Sequence, residues 1–227
     1  MNRLPRWATT SLAAGLIVVA VLLVGRSLWY ELGTGAIARA EQSSLRDRWE
    51  ATTPNVSGPA VGVGTRTVDE PRRPRPATLE GDGSPVAAVS FHRPGYGPLV
   101  SDLPYIAVSG AAPQQLRGGV GHYPSSAQPG ELGNFALAGH RNTHARPFAH
   151  IDQLRAGDEV HVQDRDGHRW VYTVTASIVT APDDVAVVSS DPLGVGKPTI
   201  TLTTCHPRGS AQQRLVVFGI LRDSLST

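Results

Sequence analysis

The chain has 227 residues, 40% of them apolar and 18% charged, with 24 Gly and 18 Pro. That is enough for one core, or two domains at most, and it excludes a many-span membrane protein. The net charge of +2 is small and no block of five like charges occurs, so nucleic acid is not an expected partner. Cysteine occurs once, at Cys205, which excludes an intrachain disulfide, a Cys-rich zinc site and a CxxC redox pair.

Residues 12–25 carry no charge, and the stretch from Trp7 to Trp29 is broken only by Thr9, Thr10, Ser11, Arg26 and Ser27. A helix needs roughly 20 residues to cross the hydrocarbon core. Arg3 and Arg6 flank one end, and Trp7, Trp29 and Tyr30 stand where interfacial aromatics belong. Arg26 can snorkel. The positive-inside rule puts the N-terminus in the cytoplasm and the residues after about 30 outside the cell. A small-residue cleavage pattern at Ala38 and Ala40 lies too far beyond the apolar run for a removed signal peptide. The reading is therefore an uncleaved transmembrane signal-anchor over 1–30.

Residues 31–85 read as an extracytoplasmic linker. They hold Pro54, Pro59, Pro71, Pro74, Pro76 and Pro85 and no sustained apolar period, apart from a short helical pattern near 37–49. Residues 71–76 favour polyproline geometry, and nearby Asp69, Glu70, Glu80 and Asp82 offset their arginines.

Residues 86–227 are the size of one domain. Short β-type runs separated by Gly/Pro turns occur at 86–91, 106–108, 134–138, 159–163, 169–178, 186–188, 199–204 and 214–221. The turn at 164–167 predicts a hairpin over 159–178. Helical patterning is confined to 113–116 and 147–154. The expected fold is mainly β, a barrel or a sandwich.

Strand alternation puts Thr199, Thr201, Thr203 and Cys205 on one face. His206 to Gly209 then form a turn, so Cys205 stands at a strand end, where a side chain can open into a groove. A nucleophilic Cys needs a base or a cationic neighbour. His206 adjoins it but alternates to the other face. His161 and His168 fall in the hairpin as solvated positions. His140 ends the run from Asn134, after Gly139, and is a second strand-end residue. Stabilising an oxyanion requires a donor. Arg214 begins the last strand, nine residues after Cys205, with Arg208 and Arg141 as rivals for that role.

These segments resemble a family. Residues 201–205 (Thr-Leu-Thr-Thr-Cys) resemble the TLxTC motif of sortases, the cysteine transpeptidases of Gram-positive cell surfaces. Residues 137–140 look like the segment carrying their catalytic histidine, and 214–217 like the one carrying their catalytic arginine. Residues 119–124 and 133–141 are most similar to class E sortases of high-GC actinobacteria. Two departures stand out. His206 occupies a position where class E members often carry Asn, and the linker holds no Asp-Pro-aromatic lid of the pilin type.

The resemblance implies an eight-stranded sortase β-barrel with a few short helices, preceded by the transmembrane helix. It implies that Cys205 attacks the Thr–Gly carbonyl of a sorting signal, of LAxTG rather than LPxTG type. His140 would be acid and base, Arg214 would hold the substrate backbone or the oxyanion, and Thr203 and Thr204 would be substrate-binding. Partners would be sorting-signal-bearing surface proteins, a peptidoglycan-precursor amine and the membrane. No cofactor is implied, and no acidic cluster for calcium is evident. Two alternatives remain. One is a different cysteine acyl-transferase, although the Ser-x-Gly-Cys pattern of L,D-transpeptidases is absent. The other is a membrane-tethered β-domain that binds peptides or a partner, with Cys205 structural.

Overall fold

The computed structural model describes residues 6–28, 33–53, 79–101 and 103–222. Helix α1 is Arg6–Leu28 and helix α2 is Thr34–Thr52. Among the described residues no helix is long and apolar enough to cross a membrane. Side chains of α1 are described over 15–26 only, short of a full span. Within that part Leu16, Ile17, Val18, Val19, Val21, Leu22, Leu23 and Val24 are all exposed, so the helix is apolar on every side. The remainder of the expected 1–30 anchor, and the Pro/Arg-rich 54–78, lie outside the described residues.

Nine strands follow: β1 Pro85–Arg93, β2 Gly97–Pro98, β3 Tyr105–Ser109, β4 Val120–His122, β5 Asn134–Gly139, β6 Glu159–Asp164, β7 Arg169–Thr180, β8 Thr199–His206 and β9 Gln213–Leu221. They form one sheet in the order β2-β1-β3-β4-β5-β8-β9-β7-β6, and β1 also pairs with β6. That last pairing closes eight strands into a barrel, with the two-residue β2 hanging on β1 outside the ring. Closure removes the sheet edges that an open sheet would leave unpaired. Alternate residues fill the bore: Phe135 and Leu137 of β5, Ile200 and Leu202 of β8, and Leu215 and Val217 of β9.

The expected mainly β barrel and the 159–178 hairpin match. In that hairpin β6 and β7 pair antiparallel, and Asp164 Oδ1 accepts from the main-chain N–H of Asp166 at 3.0 Å and His168 at 2.9 Å. Two local expectations are corrected. Residues 186–188 are not a strand: Val185–Val188 is a 3-10 turn. Asp184 caps it, accepting from Ala186 N–H at 3.2 Å and the Thr180 hydroxyl at 2.6 Å, so local capping overrides the β-branched composition. The helical pattern at 147–154 yields only a 3-10 turn, Ile151–Gln153. The short helix α3, Pro113–Leu116, is as expected.

The stretch taken as linker contains a docked element. Helix α2 buries Ala38, Gln42, Leu45 and Trp49, which recur on one face at helical spacing. Leu45 and Trp49 pack on Ala88, Ile106 and Val108, on the outside of the barrel. Gln42 forms a buried bridge: its Oε1 accepts from Ile106 N–H at 2.9 Å, and its Nε2 donates to Ile106 O at 3.0 Å and Gly118 O at 2.7 Å. A polar residue at the centre of an apolar face is satisfied only in one register, so it fixes where the helix sits.

Candidate active site

Three neighbouring strands bring the sequence candidates together. In β8–β9, Cys205 stands opposite Arg214. In β5–β8, Ala138 stands opposite Thr203. Continuing that parallel register by two residues sets His140 opposite Cys205. The Thr204 hydroxyl, donating to Gly139 O at 2.7 Å, ties the strands at that level. His140, one residue beyond the end of β5, therefore falls level with the Cys205–Arg214 pair of β8 and β9. Directly opposed residues share a face. This face is the outer one, because the bore takes Leu202 and Leu215 from the alternate positions. Val187 of the 3-10 turn packs over Val216 and Phe218 on the same outer face, forming one wall beside the row.

Small residues and close fastening hold the row in place. A Cβ at Gly139 would meet the Phe148 ring at 2.7 Å, so glycine is required where β5 ends beneath that ring. Phe148 N–H donates to His140 O at 3.1 Å, which fixes the backbone of the histidine. Thr203 Oγ1 donates to Leu137 O at 3.2 Å and lies 3.0 Å from the Tyr123 hydroxyl. Thr203 is on the outer face with Cys205. Thr204, expected in the groove, faces inward opposite Leu215 and is only 3% exposed. Its hydroxyl fastens β5 to β8. Deeper along the same strands, Asn134 Oδ1 accepts from Thr201 Oγ1 at 2.9 Å and its amide donates to Ser189 O at 3.0 Å, which anchors the loop before β8.

The three arginines separate cleanly. Arg141 is buried; its Nη1 donates to His206 Nδ1 at 2.9 Å and its Nη2 pairs with Asp152 at 3.0 Å. Arg208 donates to Ala149 O at 2.6 Å and pairs with Asp152 at 3.3 Å. Both brace the loops around the row. Arg214 Nη1 donates to Ala211 O of the preceding loop and Gln213 O at the start of β9, both at 3.0 Å. It lacks a carboxylate among the described residues, and it is the arginine in register with Cys205. His206 is held by Arg141 away from the thiol, as its alternation predicts.

Cys205 is half-buried and free. The His140 imidazole is pushed down to about 4, chiefly by burial and then by the neighbouring His144. At neutral pH it is therefore uncharged. His144 stacks on it, with ring centroids 4.6 Å apart and planes at 21°. The sequence reading did not single out His144. It sits on three successive left-handed residues, His144, Ala145 and Arg146, with φ of 54°, 58° and 52°. None is a glycine, so each costs about 1 kcal/mol or more. The turn is closed by Arg146 N–H donating to Thr143 O at 3.0 Å.

The other histidines lie elsewhere. His122 is buried, 3.0 Å from Ala127 O and 2.9 Å from the Ser126 hydroxyl, and burial pushes it down to about 4. His161 contacts Glu159 at 2.7 Å and stacks on His92. Folding does gather an acidic group that the sequence did not reveal. Potential ligand atoms of Asp164, Asp166 and His168 lie within 4.8 Å of one another. The Asp164 carboxylate is already engaged by two main-chain N–H groups, by His168 Nδ1 at 3.2 Å and by Trp170 Nε1 at 3.1 Å, so it shapes the turn.

Comparison with known proteins agrees with this geometry. The profile of the Sortase domain matches residues 100–222, more than half the chain. The chain is 41% identical over 114 residues to sortase SrtE1 of Streptomyces coelicolor, a match covering 45% of this chain and 32% of that protein. It is 31% identical over 115 residues to sortase D of Bacillus subtilis, covering 49% and 54% respectively. The chain thus spans between about 32% and 54% of these relatives' lengths. Among solved structures, sortase E of Streptomyces avermitilis superposes with a TM-score of 0.53 at 32% identity, covering 63% of this chain and 91% of that one. Sortase E1 of Streptomyces coelicolor, solved with a tripeptide in its active site, gives 0.52 at 33% identity, covering 62% and 90%. A closed barrel with His140, Cys205 and Arg214 in one row, and a family match over the strands that carry them, lead to one assignment: the chain belongs to the sortase family.

Proposed function

We propose that this chain is a membrane-anchored cysteine transpeptidase that cleaves a C-terminal sorting signal between Thr and Gly and joins the carboxyl product to a cell-wall amine. The observation that carries this reading is the single row of His140, Cys205 and Arg214 on the outer face of three adjacent strands. Neutral His140 takes the Cys205 proton, and the thiolate attacks the scissile carbonyl. Arg214 swings from the Ala211 and Gln213 carbonyls to donate to the substrate backbone or the oxyanion. The C–N bond breaks as His140 returns its proton to the leaving glycine amine, leaving a thioester on Cys205. An incoming amine then attacks the thioester, His140 accepts its proton, and the thiol is regenerated. Thr203 and the Tyr123 hydroxyl line the groove beside the thiol, and Thr204 holds the β5 end that carries His140.

The LAxTG-type preference and the peptidoglycan-precursor acceptor rest on the likeness to class E members. Membrane anchoring through 1–30, with the barrel outside the cell, rests on the uncharged run at 12–25 and on the all-round apolar character of α1. No cofactor enters this scheme. The test is to incubate the chain, in detergent micelles, with LAxTG and LPxTG peptides and an amine. Mass spectrometry should find the N-terminal peptide fragment as a thioester on Cys205, and the amine adduct in solution. Absence of both with either peptide overturns the reading.

A further inference from the structure

Beside the catalytic row stands a second histidine whose geometry is more elaborate than a surface loop requires. The His144 ring lies nearly parallel to that of His140, 4.6 Å away between centroids. Its Nδ1 is 3.0 Å from the Thr143 hydroxyl, which sets the orientation of the ring. The backbone beneath it is the left-handed turn His144–Ala145–Arg146, a conformation that non-glycine residues keep only when their surroundings impose it. Part of those surroundings is α2. A Cβ on Gly35, in the first turn of that helix, would lie 3.9 Å from Ala145 N and 3.5 Å from Arg39 Nη1. A docked helix outside the barrel thus backs the turn that presents His144 to His140.

We propose that His144 is a positioning residue for His140: its stacked ring fixes the plane of the His140 imidazole and ties that residue's protonation to its own. This rests on the transpeptidase reading, in which His140 must cycle between base and acid. The groups around His144 make the coupling one-sided. Arg117 lowers its affinity for a proton through space, after burial. Arg39 lies at the α2 side, and Arg141 and Arg146 belong to its own loop. Glu41, six residues on from Gly35 in α2, lies beside Gly118. In this largely cationic setting His144 is neutral near neutral pH. A neutral ring stacked on His140 can face the imidazolium formed during each cycle. Once His144 is itself protonated at lower pH, two like charges would be in contact, and His140 can no longer hold its proton.

The test uses the full chain in detergent micelles with His144→Gln, which removes ring and charge, and His144→Phe, which keeps a ring. Histidine-selective NMR titration is expected to show the His140 midpoint rising by about half a pH unit in His144→Gln. Peptide cleavage by His144→Gln is expected to fall about tenfold in kcat with KM unchanged, and His144→Phe to recover most of it. An unchanged His140 midpoint in folded His144→Gln overturns the proposal, as does a raised midpoint with unaltered kcat. If wild-type chain cleaves no peptide, the transpeptidase reading fails separately, and the titration alone then decides whether the two rings are coupled.

Discussion

Cys205 and Arg214 are direct partners in the β8–β9 ladder, one at the end of its strand and the other at the start of the next. The loop 207–212 that joins them returns the chain so that the cation arrives level with the thiol. Arg214→Ala is expected to lower kcat/KM about 100-fold or more. The melting temperature should barely change, because the guanidinium bonds only to the adjacent Ala211 and Gln213 carbonyls. Arg208→Ala should leave turnover within about threefold, since that side chain braces Ala149 and Asp152 instead. A peptide-transfer assay of both variants checks the assignment; the opposite pattern would transfer the role to Arg208.

The lone thiol offers a stoichiometric test. Cys205 is half-buried at a strand end, so a small alkylating reagent should add one label per folded chain, and peptide transfer should vanish in parallel. Mass spectrometry follows the label. Complete protection in the folded chain would favour the alternative of a binding domain with a structural cysteine.

Acid should loosen the barrel through His122. This ring is 1% exposed and lies among Ala127 O, the Ser126 hydroxyl and Phe135. Its value falls from 6.5 in the open chain to about 4 when folded. Between those values the unfolded chain binds a proton that the folded one refuses, so stability is full above about 6.5 and declines as pH falls toward 4. The loss is on the order of 3 kcal/mol. Urea unfolding at pH 7.5 and pH 5 should show it, and His122→Gln should flatten the dependence while lowering stability at pH 7.5. His140 contributes in the same direction.

Removing the anchor points of α2 should undock it. Trp49→Ala is expected to cost about 3 kcal/mol by emptying the contact on Ile106 and Val108. Gln42→Ala leaves the Ile106 N–H unpaired under the helix and costs about 2 kcal/mol. Hydrogen exchange at Ile106 reports both, and protection unchanged in Trp49→Ala would refute the docking.

The row of His140, Cys205 and Arg214 was legible because its residues sit at or beside strand ends with strict alternation, and because the Thr-Leu-Thr-Thr-Cys run carries a family signature. Arg214 could be named but not separated from Arg141 and Arg208; Asp152 engages both rivals, and its pairing with Arg208 spans 56 residues. Strand β4 escaped notice because three residues, Val120–His122, cannot display a period. The docking of α2 was missed although Ala38, Gln42, Leu45 and Trp49 trace one helical face. A glutamine at its centre lowered the apolar signal, and the barrel carbonyls that satisfy it are over 60 residues away. His144 was passed over because no local pattern announces a stacking partner, and left-handed φ is not written in Thr-His-Ala-Arg.

The docked α2 changes what the Pro/Arg-rich stretch can do. Thr53 N–H donates to the main chain of Trp49, which packs on the barrel, and Leu79 O accepts from Ala111 and Ala112 N–H, so the residues on both sides of 54–78 rest on the same body. A segment whose two ends are held by the same body adds nothing to the leash. The separation between α1 and the barrel is set instead by the few residues from Leu28 to Thr34, at most about 20 Å fully extended. Lengthening 54–78 would leave the working radius unaltered. Inserting residues between the helices would let the thiol reach farther from wherever α1 is held.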